Sequence, residues 1–139
     1  MCAVFHARAA TRDVDAIFAP TAEIRKAAKA IALEHDVPQD WLNDAAKGFF
    51  GALPPQMPFR EWPNLRVWSP SPEYMLAMKC VAARYDTSDA DDVKHLIGLL
   101  KLTEPDQVFS LVDTFYPNQQ VPAKTRFFIE ELMQKMHCP

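Results

Sequence analysis

Twelve prolines against three glycines in 139 residues fix where this chain can begin and end its elements, because each proline locks φ and withholds a backbone donor. From Thr11 to Ala19, Asp13, Asp15 and Ile17 alternate with Val14, Ala16 and Phe18. That is the period of a strand, and Pro20 stops it. Thr21 is placed to cap a helix in which Ile24, Ala27, Ala28 and Ile31 recur at helical spacing until about His35. Asp36 and Gln39 stand at capping-box spacing around Pro38. They predict a second helix turning Trp41, Leu42, Ala45, Ala46 and Phe49 inward and ending at Gly48 or Gly51.

Residues 52 to 64 are rich in proline and read as an irregular connector or one covering an edge, followed by a short strand from Leu65 to Trp68. Beyond Pro70 and Pro72, helices are predicted from about Glu73 to Tyr85, from Ser88 or Asp89 to Lys101, from Glu104 to Phe115 and from Ala123 to Met136. Strand then helix, followed by a helical half, gives an α/β class. The expected form is a small mixed sheet packed against a helical C-terminal half, within one domain whose layers divide near residue 70.

Hydrophobic residues at 49% and charged residues at 24% describe an ordinary globular chain. A net charge of −3 argues against a surface built mainly to embrace a polyanion. Cys2, Cys80 and Cys138 are odd in number and widely spaced, which fits a reducing cytoplasm better than a disulfide framework or a zinc site. No apolar run approaches membrane-spanning length. The four histidines, His6, His35, His95 and His137, lack zinc-protease spacing, and no serine sits in a nucleophile elbow.

The pair that most suggests chemistry is Asp13-Val14-Asp15. On a strand, residues i and i+2 point the same way, so two carboxylates can converge on one hard cation such as Mg²⁺. Two aspartates on a solvent-facing edge have the same pattern without any chemistry. The ARAATRDVDAIF segment, with Arg8, Thr11, Asp13 and Asp15, resembles the second signature of the nucleotidyltransferase superfamily. The similarity is to its small bacterial branch of AbiEii-type toxins, and it continues through WLNDAAKGFF, LRVWSPSPEYMLAMK and SDADDVKHLIGLL.

This resemblance implies an enzyme that transfers a nucleoside monophosphate from a nucleoside triphosphate to an RNA, protein or small-molecule acceptor, with Mg²⁺ on Asp13 and Asp15. By position, Lys79, Asp89 and Asp92 resemble the family's later site residues. A cognate antitoxin protein is the partner such a toxin branch implies.

Lys79 lies in its helix near Met75, Leu76, Ala82 and Ala83. An ammonium there must snorkel, pair with a carboxylate or bind an anion such as a triphosphate. Asp89, Asp91 and Asp92 open a helix, where capping alone explains acids, and pairing of Asp89 or Asp92 with Lys79 or Arg84 is a second use. Asp44, in the WLND string, is the leading third acid, although Asp40, Asn43, Asp44 and Lys47 also form an ordinary polar helix face. Arg8, Arg12, Lys124 and Arg126 can contact RNA phosphates if the fold gathers them.

Superfamily members grip phosphates with a Gly-Gly or Gly-Ser turn opening a helix. Counting back from Asp13, that turn falls at or before Met1, so the chain is expected to begin inside the first helix. A fold retained without catalysis is therefore one alternative. A helical protein-interaction module, using the Met- and Phe-rich C-terminal helices, is another.

Overall fold

The computed structural model describes residue 5 and residues 13–50, 56–82 and 87–137. These residues form a mixed α/β structure of two small two-stranded sheets and five α-helices. The chain divides into two compact units, with Arg8–Phe50 in one and Gly51–Pro139 in the other.

In the N-terminal unit a two-residue strand β1 (Val14–Asp15) pairs in parallel with β2 (Leu42–Asn43), with Val14 opposite Leu42 and Asp15 opposite Asn43. Parallel neighbours need a crossover, and helix α1 (Thr21–His35) supplies it. Its N-cap is Pro20 rather than Thr21, whose hydroxyl donates to the Phe18 carbonyl at 3.4 Å. The buried face is Ala28 and Ala32, while Ile31 stays 41% exposed.

The helix ends as predicted at His35, because Asp36 takes a left-handed conformation (φ 51°) and returns its N–H to the Ala32 carbonyl. Short polar Asp side chains tolerate that region better than most.

The second helix predicted from Asp36 is not formed. The left-handed Asp36 turns the chain, Pro38 removes a donor, and the Trp41 N–H closes a turn on the Pro38 carbonyl. Trp41 then anchors sideways, its indole Nε1 donating to the Ala28 carbonyl of α1 at 3.0 Å. That fixes the next residues as β2, followed by a short 3₁₀ turn at Ala45–Phe49.

In the C-terminal unit, residues 56–62 of the proline-rich connector form a strand, and residues 52–55 lie outside the described residues. β3 (Gln56–Trp62) pairs antiparallel with β4 (Leu65–Pro70) around a two-residue turn. Prolines are tolerated because a two-stranded ribbon leaves each strand one free edge, where no donor is needed. The register shifts between Pro58 and Arg60, a bulge that leaves Phe59 outside the pairing. All of β3 is solvent-exposed, and Trp62 and Trp68 are each about half exposed. The two sheets are thus one parallel and one antiparallel pair, in place of a single mixed sheet.

Four helices follow close to their predicted bounds: α2 (Pro72–Ala82), α3 (Thr87–Leu100), α4 (Pro105–Phe115) and α5 (Ala123–His137). Their apolar stripes make the core, to which α2 gives Tyr74, Leu76, Ala77 and Cys80 and α3 gives Val93, Leu96 and Ile97, all buried. Val108 and Val112 of α4 and Ile129 and Met133 of α5 complete it. Helix α2 packs against both α3 and α4. Lys101, left-handed at φ 53°, ends α3, and the Leu102 N–H reaches back to the Ile97 carbonyl. Pro105 opens α4, and Gln107 Oε1 accepts the Glu104 N–H at 3.0 Å.

Cys80 is buried among these side chains, and burial pushes its thiol up to about 12. It stays protonated near neutrality and is shielded from reagents. Alkylation of the native protein at pH 8, followed by site-resolved mass spectrometry, is expected to leave Cys80 unmodified until denaturant is added. Rapid modification in the folded state would contradict the packing.

Candidate functional site

The strand alternation that singled out the two aspartates survives in shortened form. Asp15 lies in β1, Asp13 lies directly before it, and both are exposed. Parallel pairing sets Asp15 beside Asn43, and the Ala16 N–H donates to the Asn43 carbonyl at 2.9 Å. Arg8, Thr11 and Arg12 lie outside the described residues.

Asp44 follows β2 at the start of the 3₁₀ turn and does not sit on a polar helix face. Lys47 Nζ approaches its carboxylate at 2.7 Å and Arg25 at 3.1 Å. The Lys47 hydrogen bond is the main reason its carboxyl lies below the usual carboxylate range, and both cations add attraction. Asp44 is therefore the centre of an ion cluster joining α1 to the turn. The adjacent Asn43 turns its Oδ1 to accept the Ala45 N–H at 3.0 Å.

A second cluster belongs to the C-terminal unit. Lys79 of α2 donates to Asp89 at 2.5 Å and to Asp92 at 2.9 Å, both on α3. Of the three uses open to an ammonium at this position, pairing with carboxylates is the one the structure displays. The Asp92 side chain is only 1% exposed, whereas Asp89 is 27% exposed. Burial pulls the Lys79 pKa down, but the hydrogen bonds that the ammonium donates to Asp89 and Asp92 outweigh it and hold the pKa above its ordinary value.

The sequence-predicted residues are therefore gathered into two groups. Asp13, Asp15 and Asp44 belong to the N-terminal unit, and Lys79, Asp89 and Asp92 to the other. Among the described residues there is no group of three or more His, Cys, Asp or Glu side chains arranged to hold a metal. Of the remaining cations, Arg126 stacks over the Phe109 ring at 4.5 Å. His95 uses Nε2 in a 2.7 Å contact with the Phe5 carbonyl.

The register of Asn43 beside Asp15 is hidden in a helical projection of the WLND string. Comparison of the chain with protein-family models, curated protein sequences and solved structures returned no match. No helix among the described residues is long and apolar enough to cross a membrane.

Proposed function

We propose that the protein is nucleotidyltransferase-like, with Asp13 and Asp15 as the carboxylates that hold Mg²⁺ together with the phosphates of a nucleoside triphosphate. The supporting observation is the β1–α1–β2 crossover, which presents both acids, solvent-exposed, at a parallel strand pair. Mg²⁺ is bound by one or two carboxylates plus waters and substrate oxygens, so two exposed acids suit it without a third.

When bound, the ion neutralises charge on the phosphates and on the departing pyrophosphate. Asp13 and Asp15 would hold that ion and so orient the nucleotide for attack by an acceptor hydroxyl. The acceptor is an RNA, a protein or a small molecule, and a cognate antitoxin protein is the partner suggested by the resemblance to toxins. Lys79, already held by two carboxylates, serves in this reading to fix α3 against α2.

Calorimetric titration of the four nucleoside triphosphates, with and without Mg²⁺, tests the proposal. Metal-dependent binding is expected, with a loss of about tenfold or more on Asp13→Asn or Asp15→Asn, the scale of one charge-assisted contact. Binding that is indifferent to both substitutions, or absent for all four nucleotides, sinks it.

A further inference from the structure

Hairpin β3–β4 exposes Met57, Phe59, Trp62, Leu65 and Trp68, the two tryptophans at 50% and 46%. Side chains of this size at such exposures leave roughly 400 Å² of apolar surface open over the two faces of the ribbon, on the scale of the largest patch that a monomer carries. Among the described residues no third strand joins this sheet, so each strand keeps an outer edge. An edge of unpaired N–H and C=O groups is a template for another strand.

The two edges are not equivalent. Pro58 has no N–H, so its pair with Trp68 is a non-hydrogen-bonded pair of the ladder, with the Pro58 nitrogen turned outward. That missing donor, with the bulge beside it, blocks the outer edge of β3. By the same pairing Trp68 turns its own N–H and C=O outward, and alternation along β4 gives Arg66 the same direction. The outer edge of β4 therefore has its donors and acceptors in place.

The side chains on that edge complement themselves. Opposite residues of an antiparallel pair share a face, so a two-fold axis at Val67 sets Arg66 of each copy against Trp68 of the other. Within one copy Glu61 already stands opposite Arg66. Each guanidinium then has a carboxylate on one side and an indole on the other. Arg66 is exposed and has no ion-pair or ring partner among the described residues, whereas Arg60 lies over Phe59 at 5.8 Å. An axis one residue earlier would set Arg66 against Arg66, which like charges oppose.

We propose that β4 pairs antiparallel with β4 of a second copy of this chain about a two-fold axis at Val67, joining two hairpins into one four-stranded sheet. The pairing is independent of the aspartate pair, which belongs to the other unit. A standard interface buries about 800 Å² on each partner, and the apolar surface of the hairpin supplies at most roughly half of that. The dimer is accordingly a weak one, with a dissociation constant of about micromolar or above.

Sedimentation equilibrium of the full chain from about 1 μM to about 1 mM spans such affinities. Wild type is expected to pass from monomer to dimer, and the Arg66 and Trp68 amides to exchange severalfold more slowly at the top of that range. Arg66→Pro removes an outward donor and leaves the β3–β4 ladder intact, while Val67→Lys sets two ammonium groups together at the axis. Each is expected to weaken the dimer by about tenfold or more. Phe127→Ser, which removes a 71% exposed side chain from α5, is expected to leave it unchanged.

Circular dichroism checks that the variants fold, and Arg66→Pro decides the matter if Val67→Lys does not. A wild-type chain that stays monomeric throughout overturns the proposal, and a tryptophan emission shift of that monomer on adding anionic vesicles would assign the hairpin to a lipid surface instead. A dimer that tolerates Arg66→Pro but is lost with Phe127→Ser also overturns it. So does a dimer in which the Arg66 and Trp68 amides exchange as fast as in the monomer.

Discussion

Replacing Lys79 with methionine is expected to lower the unfolding free energy by about 3 kcal/mol near neutral pH, the scale seen when one partner of a buried ion pair is removed. Methionine keeps most of the side-chain length, so the loss isolates the charge. What remains is the Asp92 carboxylate, 1% exposed and deprived of the ammonium 2.9 Å away.

The pH dependence has a definite sign. Lys79 has a folded pKa raised above its ordinary value of 10.5 by Asp89 and Asp92, despite its burial. Its contribution is therefore complete below that ordinary value and is lost as pH rises through the folded value. Urea unfolding of wild type and Lys79→Met should show a constant gap from neutral pH to about pH 9, where an unperturbed lysine is still charged, and a shrinking gap in stronger alkali. Because the two residues share one contact, Asp92→Asn added to Lys79→Met should recover part of the loss. Equal stability of Lys79→Met and wild type at pH 7 would mean that the pairing contributes nothing.

Tyr74→Ala is expected to cost more, about 3–5 kcal/mol, as large aromatic truncations in cores do. Tyr74 is 1% exposed and lies at the start of α2. Its ring meets Phe115 edge-on at a centroid distance of 5.3 Å and Tyr116 at 5.8 Å. Removing it opens a cavity where α2 meets the end of α4. Against a typical total stability of about 5–15 kcal/mol, that is a large share. Thermal unfolding followed by circular dichroism checks it, and a loss below about 1 kcal/mol would show that this aromatic group is not central to the core.

The helical half could be read from the sequence because periodicity and boundary signals agree there. Pro72, Pro105 and the apolar stripes of α2 to α5 all point to the same elements. The errors fall where local signals conflict with a tertiary anchor. Asp36 and Gln39 have capping-box spacing, but the left-handed turn at Asp36 and the Trp41 bond to α1 override it. Residues 56–62 carry a proline and were predicted irregular, yet an edge strand with a bulge accommodates it.

Of the candidate site, the pairing of Lys79 with Asp89 and Asp92 was among the uses that the sequence left open to that lysine. The period of two anticipates only that Asp13 and Asp15 lie at or beside a strand. The place of Asn43 beside Asp15 depends on strand register, which residue spacing does not encode.

The β1–β2 pair also differs from the hairpin in what it costs to close. Hairpin β3–β4 joins residues separated by a two-residue turn, so its contacts form at little cost in chain closure. The parallel pair must instead bring residue 14 to residue 42, with α1 formed between them. Two-residue strands return few contacts for that closure. The β1–β2 edge is therefore expected to open at lower cost than the hairpin, which hydrogen exchange of the Val14 and Ala16 amides would show, and a ligand that binds only its closed form would stabilise it.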